Sequence, residues 1–391
     1  MKIVFVSNFF NHHQEFLSRA LYEKTNGEYW FIANEQVPEE RLNLGYEDAN
    51  KKYEYIIRAY ENEEENEKAK KLIADADVVI TEPTYTGKLS DRLKQNKITF
   101  LYSERIYRKN VGWWKYPKWL YEHGKRFRRH KNLYLLSTGA FVLNDYAKTF
   151  CFINKAYKWG YFTEVKKYDV NEIIQKKRRN TVLWVARMID LKHPEEPIYA
   201  LKKLKEQGYK FHLNMIGTGD KEEEIKQLLK NCDMEDCVTM LGSMSPQEVR
   251  KYMEKSEIFL FTSDRQEGWG AVLNEAMNSM CAVVASHAIG AVPYLLEEGV
   301  NGSIYKSGNV DQLATKIKEL LDNDKKRKEI AVNAYETMIN EWNAGNAADK
   351  LINVAEIILR GGENQFPYEK GVCSKAEVTP QKMYRKVIKN G

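Results

Sequence analysis

Glu267 and Glu275 stand eight positions apart in the run Glu-Gly-Trp-Gly-Ala-Val-Leu-Asn-Glu-Ala-Met. An apolar run from Ile258 leads through Thr262 and Ser-Asp-Arg-Gln into the first acid. The glycines Gly268 and Gly270 then open a helix that carries the second. A helix that starts at glycine leaves backbone N–H groups without intrahelical partners and points the positive end of its dipole outward. That is an anion site, and phosphate is its commonest guest. Its amides would come from Gly268, Trp269, Gly270, Ala271 and Val272. Carboxylates on either side accept hydrogen bonds from sugar hydroxyls. The pattern suits a ligand that is part phosphate and part polyol, as a nucleotide sugar is.

A matching set lies upstream. The strand Val182–Ala186 runs into Arg187, and Lys192 follows in Met-Ile-Asp-Leu-Lys-His-Pro. One forked donor and one mobile point charge suit a diphosphate. Gly217-Thr218-Gly219 follows the run Phe211–Ile216, again at a strand end. Each piece alone could be an ordinary surface feature of a chain with 61 Lys and Arg. Three such matches at successive predicted strand ends form an ordered set.

The acid pair resembles the Glu-x7-Glu signature of retaining GT-B glycosyltransferases, above all glycosyltransferase family 4 of the bacterial polysaccharide type. The resemblance implies that Glu267 contacts donor-sugar hydroxyls, that Glu275 contacts the ribose and that the intervening amides take the diphosphate. Arg187 and Lys192 resemble the family's Gly-Arg-x5-Lys-Gly, with Ala186 and His193 where the family has glycines. Base recognition is expected near Leu241 to Met244, through backbone groups. Residues 181 to 345 carry the resemblance closely; the first 165 match only in layout.

The 391 residues exceed one ordinary core, so two domains are expected. With 43% apolar and 30% charged residues the chain reads as soluble and globular. No run nears the roughly 18 apolar residues of a membrane span, and Met1-Lys2 leads straight into a strand, so a cytoplasmic protein is expected. Five scattered cysteines lack framework spacing and are expected to be reduced thiols.

Short apolar runs alternate with helical stretches: Ile3–Val6, Tyr29–Ala33, Val78–Ile80, Thr99–Tyr102, Phe141–Leu143, Val182–Ala186, Phe211–Ile216, Val238–Leu241, Ile258–Phe261 and Ala282–Ala285. This predicts an α/β chain with parallel sheets buried on both faces. Ser245-Pro246-Gln247-Glu248 predicts a capped helix start. The polar stretch Thr163 to Asn180 reads as a link. The expected layout is GT-B: two doubly wound Rossmann-like domains facing a central cleft. Residues 1–165 with 346–391 form the acceptor-binding domain, 166–180 the linker, and 181–345 the donor-binding domain. Trp342 to Leu359 has apolar residues at helical spacing, and the resemblance implies a closing helix that crosses back to the first domain.

In the first domain, Ser7 to Gln14 carries Asn11, His12 and His13 where the family has a glycine-rich loop. These histidines could meet donor phosphate or an acceptor hydroxyl, with His13 placed among the catalytic groups; equally, one could cap a helix and the other be exposed. The family's later first-domain histidine is missing, and Ser103 or Glu104 stands in that space. Asp75-Ala76-Asp77 precedes a strand rather than following one, so it reads as a helix end and not a metal site. Arg187, Lys192 and the amides supply the neutralising charge, so no metal and no cofactor is expected; the substrate is a nucleotide diphosphate sugar, with UDP as the nucleotide. Arg105 to Lys131 holds ten basic residues against the single acid Glu122, a net of +9 in a chain of +6, interleaved with Tyr107, Trp113, Trp114, Tyr116, Trp119, Tyr121 and Phe127. That mixture predicts docking on an anionic membrane surface rather than on nucleic acid, the blander alternative being a helix pair with buried aromatics and a solvated basic side.

The expected function is therefore metal-independent, retaining transfer of a sugar, hexosyl or related, from a nucleotide sugar to a hydroxyl acceptor on a lipid-linked or polysaccharide precursor, at the inner face of the membrane. The rivals are a phosphorylase or sugar-nucleotide epimerase of the same fold and, from another class, a catalytically silent scaffold subunit.

Overall fold

The computed structural model describes residues 1–39, 48–107, 114, 116–362 and 365–379. The chain divides into two compact units, Met1–Thr163 with Trp342–Thr379, and Glu164–Glu341.

The first unit is built on a parallel sheet of seven strands: β1 Ile3–Ser7, β2 Tyr29–Ala33, β3 Ile56–Arg58, β4 Val78–Thr81, β5 Ile98–Ser103, β6 Leu133–Thr138 and β7 Ala156–Trp159. Their order is β3-β2-β1-β4-β5-β6-β7. All five β1 residues and all six of β5 are buried, because helices cover both faces and leave no polar side to alternate with. The second unit has six parallel strands: β8 Arg178–Val185, β9 His212–Ile216, β10 Val238–Met240, β11 Ser256–Phe261, β12 Ala282–Ser286 and β13 Ser303–Tyr305. Their order is β10-β9-β8-β11-β12-β13. In each sheet the order reverses once, between β1 and β4 and between β8 and β11. Such reversals leave an open crevice beyond the carboxyl ends of the strands.

The helix Ala344–Leu359 buries Ala347, Leu351, Val354, Ala355 and Ile358. It lies in the first unit against the helix His12–Lys24, where Lys24 Nζ meets Asp349 Oδ1 at 2.6 Å. Beyond it the chain extends the β7 edge: Lys158 N donates to Ser374 O and Ala376 N to Ala156 O. Ser245 caps Pro246–Lys255 with both halves of a capping box, as its four-residue signature predicts.

Three expectations change. Phe141–Leu143 is the start of a helix, Val142–Ala147, not a strand. Val142, Leu143 and Tyr146 are buried at helical spacing, which three apolar residues alone cannot reveal. The short strands β3 and β13 and the longer β6 and β7 were absent from the expected set. The stretch read as a link, 166–180, is woven into the second unit. It contains the helix Val170–Lys176 and the start of β8. The Lys177 ammonium is buried there and donates to the carbonyls of Met253, Ser256 and Ser279 at 2.7–2.9 Å. All five cysteines are free thiols.

Candidate functional site

The loops leaving β8 and β11 flank the reversal of the second sheet and carry the predicted donor residues. After β8, Ala186 leads to Arg187, which is exposed, and to a 3-10 turn, Asp190–Lys192. The loop after β9 lies against this segment: Met188 N donates to Thr218 O at 2.9 Å, and Lys221 N to Met188 O at 2.9 Å. A Cβ on Gly217 would stand 1.9 Å from Ala186 O, and one on Gly219 would stand 2.5 Å from Met188 O. No side chain fits at either position, which explains Gly217-Thr218-Gly219. Leu241, after β10, is half-buried and donates its amide to Met215 O.

The β11 loop ties to the β8 loop through backbone. Asp264 N donates to Leu191 O at 2.9 Å, Thr262 Oγ1 to Lys192 O at 2.7 Å, and Trp184 Nε1 to Thr262 Oγ1 at 2.9 Å. These bonds bring Lys192 and Glu267 together from 75 positions apart, Nζ against Oε2, over the Phe261 ring. Both side chains are largely shielded, 15% and 14% exposed, so the ion pair sits where solvent screens it little. Among the described residues nothing pairs with the Arg187 guanidinium. His193 stands where the resembling family has glycine and takes up the left-handed backbone itself, φ 48°. Its ring is held by Glu195 at 3.0 Å and Asp264 at 3.6 Å. The Glu195 hydrogen bond raises its pKa above 6.5, against the opposing effect of burial.

Gly270 has φ 90° and sits under the Phe261 ring. A Cβ on Gly290 would stand 1.8 Å from Gly268 O, so the loop after β12 presses on the Gly268–Ala271 turn. Trp269 is buried and donates its indole N–H to Asn274 Oδ1 at 2.9 Å, so it offers backbone, not side chain, to a ligand. The helix Val272–Asn278 begins at Ala271 with no side-chain cap, and Glu275 follows on its first turn. Burial raises the Glu275 pKa, with Arg250 opposing. Arg250 is itself buried and fixes the far end of that helix through Asn278 Oδ1 at 2.9 Å and Ser279 Oγ at 3.2 Å. Sequence reading missed Gly290, Arg250, Asp264 and Glu195. Only Gly290, in Ile-Gly-Ala after β12, carried a local signal.

The first sheet's reversal is lined differently. Asn11 caps the helix His12–Lys24: its side-chain oxygen accepts from His13 N at 2.9 Å while Gln14 Oε1 accepts from Asn11 N, a complete capping box. His12 is exposed, and half-buried His13 stacks on Tyr161 with centroids 4.6 Å apart. Ser103, expected near the sugar, is buried; it donates to Glu104 O and shares a 3.0 Å hydrogen bond with Tyr146. Glu104 accepts from Tyr161 OH at 2.5 Å. Two acids escaped the sequence reading. Glu82 follows β4 directly and accepts from Ser7 Oγ; Glu35 lies two residues past β2 and accepts from Tyr85 OH at 2.5 Å. Burial raises the Glu82 pKa, and the charges of Glu35 and Glu104 add to it.

Of the basic segment, Arg105 is not a surface charge: it is buried against the fully buried Asp145, 3.2 Å away. Arg126 is exposed but engaged, donating to Thr86 Oγ1 at 2.5 Å and to Pro83 O. Lys118, Lys125, Arg128, Arg129 and Lys131 are exposed. Arg108, Lys109, Trp113 and Lys115 lie outside the described residues.

Residues 166–337 match the model of the family described as glycosyl transferases group 1. The amylovoran biosynthesis glycosyltransferase AmsK of Erwinia amylovora is 26% identical over 294 residues, 72% of this chain and 70% of AmsK. The alpha-D-kanosaminyltransferase of Streptomyces kanamyceticus is 26% identical over 49% of each chain. Among solved structures, the Anabaena protein HepE in complex with UDP superposes with TM-score 0.66 at 15% identity, covering 91% of this chain and all of HepE, a likeness of fold. No helix among the described residues is long and apolar enough to cross a membrane. The two reversing parallel sheets, with the likeness to HepE, give the chain the GT-B fold, and its second unit carries the similarity to the group 1 glycosyl transferases.

Proposed function

We propose that the chain is a retaining, metal-independent enzyme of glycosyltransferase family 4 that moves a hexosyl or related group from a UDP-sugar to a hydroxyl of a lipid-linked or polysaccharide-precursor acceptor. The observation that carries this is the shielded Lys192–Glu267 pair beside the Gly268–Ala271 turn. It sets a cation for phosphate and a carboxylate for sugar hydroxyls side by side. Arg187, Lys192 and the amides of Gly270 and Ala271 hold the diphosphate and the charge that grows on it as the glycosidic bond breaks. Glu267 grips the sugar and Glu275 the ribose. The described motifs offer no evident protein nucleophile. The acceptor therefore attacks from the face the diphosphate leaves, a phosphate oxygen takes its proton, and the protein's share is positioning and charge stabilisation. HepE is a structure with UDP bound, and AmsK is named for amylovoran biosynthesis; both support these choices. His13, Glu104 and the acids near them give the first unit a hydroxyl-binding edge for the acceptor. The exposed lysines and arginines of 118–131 support a peripheral position on the inner face of the membrane.

The test is a melting-temperature screen against UDP, GDP and ADP and their sugars, since ligands of the native state raise its apparent stability. It is followed by transfer assays with excess chelator and by NMR of the product anomer. UDP is expected to stabilise most, transfer to survive chelation, and the anomeric configuration to be kept. Indifference to every nucleotide diphosphate would sink the reading.

A further inference from the structure

The helix Val142–Ala147 ends in an unusual way. Cys151 N donates to Tyr146 O and Phe150 N to Ala147 O, the paired closure that normally places glycine in the left-handed position. Here that position is Phe150, φ 56°, and the ring is 61% exposed. Phe152 and Asn154 are left-handed too, but Phe152 is buried against Phe127. Ile153, between them, is 52% exposed. The turn thus accepts backbone strain at Phe150 and sets two large apolar side chains in water, where neither contributes to the core.

The turn is fastened to the basic segment. His123 Nδ1 and Thr149 Oγ1 are 2.9 Å apart, and Cys151 Sγ reaches His123 O at 3.7 Å. His123 ends the helix Tyr116–His123, whose exposed side chains include Leu120 and Tyr121, 69% exposed, with Trp114 just before it at 67%. Lys118, Lys125, Arg128, Arg129 and Lys131 are exposed along the same stretch.

We propose that the turn Thr149–Asn154 is a membrane-inserting element, with Phe150 and Ile153 entering an anionic bilayer beside the helix Tyr116–His123 and the basic residues that follow it. This rests on the peripheral placement proposed above and names the side chains that enter. The occupant follows from charge: exposed apolar and aromatic side chains on a turn fastened to a stretch of exposed lysine and arginine match a surface with acidic headgroups over hydrocarbon. A protein partner would not need so many exposed cations, of which, among the described residues, only Lys118 has an acid within reach, Glu122 at 3.8 Å, near so few apolar tips.

Phe150→Gly separates the two roles of the residue, because it removes the strain and the anchor together. Sedimentation with phosphatidylglycerol–phosphatidylcholine vesicles should show wild type bound at low salt and released at high salt. Phe150→Gly should melt at a higher temperature yet bind about tenfold more weakly, the loss of one partly buried aromatic; Ile153→Ser should weaken binding without the gain in melting temperature. If both variants bind vesicles as wild type does, the turn lies outside the bilayer and only the basic stretch 116–131 docks. If wild type ignores anionic vesicles, the turn and the peripheral placement fall together. Equal binding to pure phosphatidylcholine, or a loss confined to single-stranded oligonucleotide binding, would also overturn the assignment.

Discussion

The carboxyl edges of the two sheets share one architecture and differ in chemistry. At the β8/β11 reversal the lining is cationic and stripped of side chains: Arg187, Lys192 and four glycines whose Cβ positions are occupied by neighbouring atoms. At the β1/β4 reversal the lining is acidic and aromatic: Glu35, Glu82 and Glu104, held by Tyr85, Ser7 and Tyr161, with His13 stacked nearby. An edge that takes phosphate needs backbone at close range and positive charge. An edge that takes a neutral polyol needs acceptors for its hydroxyls. Under the proposed function the leaving group belongs to the second unit and hydroxyl chemistry to the first, with Glu267 as the acid that the second unit sets beside its own lysine.

The largest effect should come from dismantling that pairing. Lys192→Ala removes a cation aimed at growing charge and leaves the shielded Glu267 carboxylate alone. Turnover should fall by about 10²–10³-fold, the scale of one preorganised charge-stabilising group. Glu267→Ala should cost a similar factor by loosening the donor sugar. Steady-state transfer from a UDP-sugar, read beside UDP affinity, checks both, and near-wild-type turnover in either variant would break the contrast between the edges.

Glu82 probes the other edge. Glu82→Gln keeps the acceptor for Ser7 Oγ but removes a charge that burial opposes. It should leave UDP affinity unchanged while raising the acceptor KM about tenfold, the scale of one lost hydrogen bond to a charged group. Stability moves the other way. The folded-state pKa lies above 4.5, so the native protein binds the extra proton and loses stability as pH rises from 4.5 through that raised value. The Gln variant should therefore melt higher than wild type at neutral pH, and the gain should vanish under acid conditions. An unaltered acceptor KM, or no gain in melting temperature, would remove Glu82 from the hydroxyl-binding edge.

The donor edge was easier to read because close backbone approach leaves a local trace. Gly217, Gly219, Gly268 and Gly270 stand out as glycines just past predicted strand ends, although the atoms that crowd Gly217 and Gly219 belong to Ala186 and Met188, and the order of strand, loop and helix follows from apolar runs. The pairings were not legible. Lys192 meets Glu267 across 75 positions, Gly290 fits Gly268 from another strand end, and Arg105 disappears into a pair with Asp145 that composition counts as surface charge. In the first unit each site acid comes from a different strand end, and no spacing within the chain ties Glu35 to Glu82 or Glu104. Short strands fail for a related reason. Ile56–Arg58 and Ser303–Tyr305 are held by neighbours in the sheet, not by their own pattern.

His193 gives the smallest effect and the finest test of the glycine rule at the donor edge. It occupies the left-handed position that glycine fills without strain, and its ring bridges Glu195 and Asp264. A histidine whose folded pKa is raised above 6.5 adds stability in full below that value and loses it as pH climbs through the folded pKa. His193→Gly surrenders this bridge and gains about 1 kcal/mol of backbone relief. The ring is 30% exposed, so the bridge is worth no more than about 1 kcal/mol. Below pH 6.5 the two terms should nearly cancel; at pH 8 to 9 the variant should melt a degree or two higher than wild type. Melting curves across that range measure the difference. Parallel curves would mean that the ring carries no charge into the fold, and that its place at the donor edge is steric alone.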